Sequence, residues 1–169
     1  KEKITDTSDL KLKTLKLWGG GFKLSANRET LKIGSTIYYK RRTGQLIYGK
    51  QNFFNGSIGI VPKEADGYAT SADVPTLDID LSKVSSEYLI QYITHPNYYL
   101  NKEAYASGTG SKRIHEETLF KFEIKLPSLE EQEKIGFFLK SLDDKTRLYE
   151  KKLESYKSIK KALLQRMFI

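Results

Sequence analysis

The stretch Pro127-Ser128-Leu129-Glu130-Glu131 marks the point at which the pattern of the sequence changes. Ser128 is a favourable N-cap, and the glutamates that follow it place negative charge at the positive end of a helix dipole. Glu131 stands three residues after Ser128, which is the capping-box spacing. No Pro or Gly follows Gly136, so the sequence predicts one helix over 129–168. About 38 helical residues would span roughly 57 Å, several times the mean length of a globular helix.

Apolar residues recur along this helix at intervals of four and three. The ten positions, called the seam below, are Ile135, Leu139, Leu142, Thr146, Tyr149, Leu153, Tyr156, Lys160, Leu163 and Met167, and all but Thr146 and Lys160 are apolar. One narrow apolar stripe on so long a helix is typical of a coiled coil or helix pair. The eight apolar positions are therefore predicted to pair with another helix. The alternative is a helix that lies across its own domain.

Residues before the helix have a mixed, strand-rich pattern. Two runs rich in β-branched and aromatic residues, 31–39 and 45–48, flank a turn at 41–44, which predicts a β-hairpin. The remaining predicted elements are a short buried strand at 58–61, an edge strand at 77–80, a helix from Val84 that breaks at His95-Pro96, and a last strand at 120–126. We predict an α+β protein, with a strand-rich globular domain at 1–127 and a long coiled-coil-forming helix at 128–169.

Positive charge is concentrated near the start of the chain. Residues 1–60 hold twelve Lys and Arg against four Asp and Glu, and no acidic residue occurs from Thr30 to Lys63. The net charge of the whole chain is +8. Such clustering favours a polyanionic partner, although a basic surface that only keeps the protein in solution is the alternative.

Several classes of site have little support in the sequence. Cysteine is absent, and His95 and His115 are the only imidazoles, which argues against a zinc site. Gly108-Thr109-Gly110-Ser111-Lys112 lacks the spacing of a phosphate-binding loop. We therefore expect no metal and no cofactor. There is no run of eighteen apolar residues and no signal-peptide pattern, so we expect a cytoplasmic protein without a membrane segment. Because the first residue is Lys1 rather than Met, we expect a fragment or a trimmed chain.

One catalytic alternative comes from the Glu123-Ile124-Lys125 stretch. Metal-dependent nucleases often carry a Glu-x-Lys on a strand together with an earlier Asp, for which Asp78 or Asp80 is available. The same pattern also arises by chance on the solvent face of an alternating strand. We expect no catalytic residue and no enzymatic activity in the chain.

Basic residues interleaved with hydroxyls, amides and aromatics favour nucleic-acid binding. Arg and Lys hydrogen-bond to guanine, Asn and Gln to adenine, and a two-stranded ribbon fits the major groove. The predicted base-reading residues are Tyr38, Lys40, Arg41, Arg42, Thr43, Lys50 and Asn52. Ser111, Lys112 and Arg113, which follow a glycine-rich loop, are predicted to contact phosphates.

The start of the long helix resembles a known family. The segment Leu126-Pro127-Ser128-Leu129-Glu130-Glu131-Gln132-Glu133-Lys134-Ile135 is similar to the P-x-x-x-E-Q-x-x-I signature of specificity subunits of Type I restriction-modification systems. The resemblance continues through 138–143 and 160–168, and it extends to the small-residue loop at 108–114. The segments 44–49 and 55–60 also resemble core strands of one target recognition domain subtype.

This resemblance implies a function. In the family, two recognition domains are held apart by paired conserved helices, and each domain reads half of a split double-stranded DNA target. Separate methyltransferase and restriction subunits carry out the chemistry. The chain has one domain and one helix, so we expect the C-terminal half of such a subunit, or a half-length subunit, that forms a homodimer through the helix. The rival interpretations are a stand-alone nuclease or modification enzyme that uses Glu123 and Lys125, and a coiled-coil scaffold protein.

Overall fold

A computed structural model describes residues 2–5, 13–16, 22–24 and 36–168, and everything below refers to these residues. The strands are β1 (Glu2–Lys3), β2 (Lys13–Leu15), β3 (Phe22–Leu24), β4 (Tyr38–Lys40), β5 (Leu46–Tyr48), β6 (Ile58–Ile60), β7 (Ala69–Ser71) and β8 (Thr76–Leu77). The α-helices are α1 (Ser86–Thr94), α2 (Pro96–Tyr99), α3 (Glu116–Leu119) and α4 (Leu129–Met167). Short 3-10 helices lie at Phe53–Asn55, Lys63–Ala65 and Leu100–Tyr105. The molecule is α+β, as predicted.

The strands form three small antiparallel sheets. Their strand orders are β1-β4-β7, β2-β3 and β6-β5-β8. The predicted hairpin is therefore wrong: β4 and β5 belong to different sheets, and the chain passes between them through a turn in which Gly44 has a φ of 82°. The part of the hairpin predicted at 31–35 lies outside the described residues. Both segments are strands, but β4 pairs with β1 and β7, whereas β5 pairs with β6 and β8.

The other predicted elements have mixed outcomes. The buried strand β6 and the helix α1 are confirmed, and α1 is capped by Ser85, whose Oγ accepts from Tyr88 N at 3.4 Å. The edge strand β8 ends at Leu77, short of the predicted Asp80. The predicted last strand at 120–126 is wrong, because this segment has no strand partner. Phe122 and Ile124 nevertheless pack against the core, so the alternation of the sequence reflects alternating burial.

The larger hydrophobic core joins the β6-β5-β8 sheet to the short helices. Its buried members are Tyr48, Phe53, Ile58, Leu89, Ile93, Tyr99, Ile114 and Leu119. A smaller cluster of Ile47, Val61 and Ala65 lies on the other side of β5. Burial of each large apolar side chain in this core stabilises the fold by about 1.5–3 kcal/mol.

Helix α4 is attached to this core by its first turns. Gln132 is 1 % exposed: its Oε1 accepts from Ser85 N at 3.0 Å, and its Nε2 donates to Pro127 O at 2.9 Å and Lys83 O at 3.1 Å. One turn later, a Cβ on Gly136 would lie 2.5 Å from Tyr88 N, so only glycine allows this approach. Gln132 and Gly136 are called the α1–α4 joint below. Because this joint crosses the boundary predicted at residue 127, the division into two domains stays a prediction.

Beyond the joint, α4 leaves the core. Ser128 caps the helix as predicted, with its Oγ accepting from Glu131 N at 3.3 Å. Every residue from Leu142 to Phe168 is exposed, so the distal part of the helix makes no buried contact with the described residues. None of the described helices is both long enough and apolar enough to cross a membrane.

Candidate nucleic-acid interface

Arg41 is an interior residue. It is 2 % exposed, and its guanidinium donates to the hydroxyls of Thr70 at 2.6 Å and Thr76 at 3.2 Å. It also donates to the carbonyl oxygens of Ser71 at 3.2 Å and Val74 at 2.9 Å. Burial lowers the pKa of Arg41 to about 10, still well above neutral, so the side chain remains charged. The structure therefore places the Arg41 guanidinium in the interior and not on the surface where the sequence predicted base reading.

Tyr38 is likewise buried, which removes it from the predicted surface. Its strand neighbour Lys40 is partly exposed, with Nζ 3.8 Å from Glu2 Oε1. Arg42 and Thr43 lie on the exposed turn after β4. Arg42 Nη2 lies 2.7 Å from Glu2 Oε2, and Thr43 N donates to Asp66 Oδ1 at 2.9 Å. Lys40, Arg42 and Thr43 are called the tip below.

A second group of predicted residues comes together from distant parts of the chain. Lys50 N donates to Asp73 O at 2.8 Å, and Ile114 N donates to Lys50 O at 2.9 Å. Ser107 and Arg113 form an isolated antiparallel bridge that closes the loop between them. Within it Gly108 has a φ of 117°, and a Cβ there would lie 2.5 Å from Ser111 O, so this tight loop requires glycine. The segments 49–52, 72–74 and 107–113 therefore form one surface, called the loop surface below.

The strand register separates these two groups. The tip follows the end of β4 at which Lys40 pairs with Ala69 of β7. At the opposite end of the same two strands, Tyr38 pairs with Ser71. The loop surface lies beyond Ser71 and Tyr48, at the opposite end of these strands. Residues 38–52, which were predicted to read bases together, are thus divided between two surfaces at opposite ends of the strands.

The cations of the loop surface face carboxylates that the sequence analysis did not single out. Lys112 Nζ lies 2.8 Å from Glu103 Oε1, Arg113 Nε lies 3.4 Å from Asp73 Oδ1, and Lys50 Nζ lies 2.9 Å from Glu116 Oε2. The Lys112–Glu103 pair is exposed on both sides, and Asp73 is exposed while Arg113 is partly exposed, whereas the side chains of Lys50 and Glu116 are only 14 % and 22 % exposed. Exposed ion pairs contribute little stability, so Lys112 and Arg113 can exchange a carboxylate for another anion at low cost. No local sequence signal identifies Asp73, Glu103 or Glu116 as partners.

Amide and hydroxyl groups complete the loop surface. Gln51 Nε2 donates to Ser111 Oγ at 3.5 Å, which places the amide beside the predicted phosphate-binding residue. Asn52 is exposed, and its Oδ1 accepts from Asn55 Nδ2 at 3.3 Å. Lys, Arg, Gln, Asn and Ser side chains on one exposed surface match the donor set that contacts phosphates and base edges.

The residues of the nuclease alternative do not come together. Glu123 and Lys125 are exposed and lie on no strand. Glu123 lines a cavity of about 560 Å³ beside α1 and α4, while Asp78 and Asp80 line a different, apolar cavity of about 290 Å³. Hydrogen bonds from the Ser82 side chain, and then from Lys83, lower the pKa of Asp80. Within the described ranges, no three His, Asp or Glu side chains are grouped as metal ligands would be.

The two histidines have ordinary structural positions. His95 is the N-cap of α2, and its Nδ1 accepts from Asn97 N at 3.3 Å. His115 precedes α3 and is exposed.

The predicted helix-pairing residues differ between the two ends of α4. Ile135 and Leu139 are half-buried beside α1. Leu142, Tyr149, Leu153, Tyr156, Leu163 and Met167 are exposed. The seam is thus continuous with the edge of the core at one end and open to solvent over most of its length.

Comparisons with known proteins identify the family. Two solved structures share this fold: the HsdS subunit from Thermoanaerobacter tengcongensis, with a TM-score of 0.63, and a chain from a study of complex assembly and conformational transition of the type I R-M system, with a TM-score of 0.61. Each is 18 % identical to this chain, and each alignment covers 98 % of this chain and 44 % of the other. A comparison with curated proteins found no match. The family model of the Type I restriction modification DNA specificity domain matches residues 11–157, and this protein therefore belongs to that family.

Proposed function

We propose that this chain is the DNA-recognition half of a Type I specificity subunit, which reads one half of a bipartite target. The observation that carries this proposal is the extent of the family match, because residues 11–157 include both the loop surface and most of α4. The chain spans less than half of either similar solved chain. One strand-rich region and one long helix are what a half subunit requires.

The loop surface is the proposed DNA contact. Lys112 and Arg113 are proposed to bind phosphates beside Ser111, because their present anionic partners, Glu103 and Asp73, are exposed and easily exchanged. Asn52 and the adjacent Gln51 carry exposed amides that suit adenine. Lys50 is more buried in its pair with Glu116, so we assign it mainly to holding the surface together.

The tip is a second proposed contact. Arg42 is exposed on a turn, and Glu2, the carboxylate with which it forms an ion pair, is itself exposed. Of the two adjacent arginines, only Arg42 can therefore extend to a guanine. A bidentate arginine–guanine pair contributes about 1–3 kcal/mol of discrimination, and its loss should relax specificity at one position of the target.

Selection from a random duplex library tests the proposal directly. The full chain, immobilised and washed at moderate salt, should enrich a bipartite sequence with inverted half-sites at one fixed spacing. Enrichment of no sequence above the starting pool, at any salt concentration, would contradict sequence recognition. Arg42→Ala should broaden one base position of the enriched sequence, and unchanged enrichment would remove the tip from the interface.

A salt series then separates phosphate contacts from base contacts. Lys112→Ala should weaken binding to all duplexes alike and should reduce the slope of log affinity against log salt by about one. Lys134→Ala is the matched control, because it removes the same charge from an exposed i,i+4 pair with Glu130 on α4. Equal effects of the two variants would exclude the loop surface as the phosphate contact.

The chemistry is assigned to other subunits. We propose that the chain docks methyltransferase and restriction subunits and performs no cleavage or methyl transfer itself. Purified chain incubated with DNA, magnesium and a methyl donor should leave the DNA unchanged. Turnover that disappears in Glu123→Ala would support the nuclease alternative instead. Co-purification with the methyltransferase subunit of a Type I system tests the docking.

We also propose a homodimer through the seam of α4. Its exposed residues have no partner among the described residues of one chain, and a second copy supplies a matching stripe. With a spacer of roughly 57 Å and a DNA turn of about 34–36 Å, the half-site centres should lie between one and two turns apart, or closer on bent DNA. Light scattering at micromolar concentration decides the point, since a species of 19.4 kDa would refute the dimer. A dimer that binds no DNA would favour the coiled-coil scaffold alternative.

A further inference from the structure

A cavity opens where α4 leaves the core. It has a volume of about 560 Å³. Its walls combine Tyr88, Tyr92 and His95 of α1 and its C-cap with Ile135 and Leu139 of α4, and polar and charged side chains, among them Lys102 and Glu123, complete the lining. Ile135 and Leu139 are also the first two positions of the seam. A helix laid along the seam would therefore run into this cavity.

The charge of α4 is polarised along its length. Residues 129–144 hold five acidic and two basic side chains, whereas residues 155–168 hold four basic side chains and no acidic one. Two copies side by side in the same direction would place like charges together at both ends. Copies in opposite directions place the acidic start of one helix beside the basic end of the other, which is the favoured electrostatic arrangement.

The spacing of the seam defines one complete register for opposite directions. When Tyr149 lies opposite Leu153 of a second copy, Leu139 lies opposite Leu163 and Ile135 lies opposite Met167. All ten positions of the seam then have a partner. A shift by one heptad leaves positions at an end of the seam unpaired. Asp143 and Lys157 both lie at the position that directly follows a seam residue, on the same edge of the helix. The complete register therefore brings Asp143 of one copy near Lys157 of the other.

Two exposed apolar residues remain outside the seam at the end of α4. Leu164 is 46 % exposed and Phe168 is 79 % exposed, and Phe168 follows Leu164 by one turn. Leu164 is four heptads from Gly136, so it lies on the same edge of the seam as the residue that contacts α1. In a two-fold pair the same edges of both helices face each other. Leu164 of one copy thus lies beside Gly136 and α1 of the other, next to the cavity.

We propose that the C-terminal turn of α4, with Leu164, Met167 and Phe168, docks into the cavity at the base of α4 in a second copy of this chain. The proposal rests on the homodimer proposed above. It adds a specific anchor at each end of the pair, so that the dimer is held by the cavity as well as by the seam. The anchor also favours the complete register, because a helix shifted by one heptad would bring Lys160 and Lys161, in place of Met167 and Phe168, to the cavity or would leave the cavity empty.

A photo-crosslink tests this docking. The full chain is prepared with p-benzoylphenylalanine in place of Phe168 and irradiated in solution. We expect a dimer-sized product in which the crosslinked peptide contains residues 88–98 or 135–139. A crosslink within one chain is excluded, because roughly 48 Å of helix separates residue 168 from residue 136. Crosslinks that map to other segments, or no crosslinks in a sample that is dimeric, would overturn the docking.

Alanine variants provide a measurement on the native helix. Phe168→Ala should raise the dimer dissociation constant at least roughly ten-fold, because two aromatic side chains lose their buried position in each dimer. Leu148→Ala is the matched control, since Leu148 is 63 % exposed but lies outside the seam and its edges. Equal effects of the two variants would overturn the docking and leave the homodimer standing. A parent chain that sediments as a monomer would refute both.

Discussion

The strand-rich region and the distal half of α4 each break the rule that charged side chains are exposed and apolar side chains are buried, but they break it in opposite ways. The strand-rich region buries a charged residue, Arg41, while the distal helix exposes leucines, tyrosines and a methionine. Arg41 is explained within the chain, because oxygens of β7, β8 and the turn between them surround its guanidinium. The exposed row on α4 has no such explanation among the described residues. A buried polar group is thus explained by contacts inside the chain, whereas an exposed apolar row is expected to pack against another molecule.

The strongest test of this comparison is Arg41→Ala. The substitution removes the guanidinium and leaves several buried oxygens without a donor, so it should lower the free energy of unfolding by about 3–5 kcal/mol. Chemical denaturation followed by circular dichroism measures the loss. Arg42→Ala is the control and should change stability by less than about 1 kcal/mol, because its ion pair is exposed. Similar losses for the two variants would mean that Arg41 is not the internal support described here.

The second test places charge on the exposed row. Leu142→Lys combined with Leu153→Lys should weaken dimerisation by at least roughly 100-fold, because lysines would be desolvated in the seam. The strand-rich region should keep its stability, since both leucines are exposed. Light scattering and thermal unfolding separate the two effects. A double variant that unfolds as a whole would show that the distal helix supports the core.

The third test addresses the joint between the two regions. Gln132→Ala leaves Ser85 N and two carbonyl oxygens unpaired in a buried site, and we expect a loss of about 2 kcal/mol. The backbone amides in the first turns of α4 should exchange slowly in the parent chain and faster in this variant. Gln165→Ala, near the far end of the same helix, should have no effect on stability beyond about 0.5 kcal/mol.

The smallest expected effect concerns a buried hydroxyl. Tyr48 is fully buried, and its OH has no hydrogen-bond partner among the described residues. Burial, together with the nearby Glu116, raises the pKa of this phenol, so it stays neutral across the physiological range. Tyr48→Phe should therefore be neutral or stabilising by up to about 1 kcal/mol. A clear loss of stability would indicate a bound water at this hydroxyl, and denaturation of both proteins side by side decides it.

Local signals predicted α4 well and the sheets poorly. The N-cap at Ser128 and the seam depend on residues three or four apart, so they can be read from the sequence. Strand pairing depends on residues such as Tyr38 and Ser71, which are far apart in the chain, and the nearest strand was wrongly chosen as the partner. The alternation at 120–126 correctly indicated burial of Phe122 and Ile124, but it carries no information about a hydrogen-bonding neighbour.

The candidate site shows the same limit. Arg41 and Arg42 are adjacent and chemically identical, and only the distant threonines Thr70 and Thr76 decide which one is buried. The loop surface could be predicted in part, because Lys112 and Arg113 follow a glycine-rich turn. Its assembly with Lys50 and Asp73 requires the tertiary fold.

The α1–α4 joint sets the direction of the long helix, so a small rotation at the joint displaces the far end of the helix. Between Gly136 and Phe168 the helix extends for roughly 48 Å, so a rotation of about 5° at the joint moves the far end by about 4 Å. That displacement is close to the 3.4 Å that separates successive base pairs along one strand. Gln132, with three hydrogen bonds, and Gly136, with no room for a methyl group, hold this angle. In the proposed dimer, Gln132 and Gly136 therefore help to fix the distance between the two strand-rich regions, and with it the number of base pairs between the two half-sites.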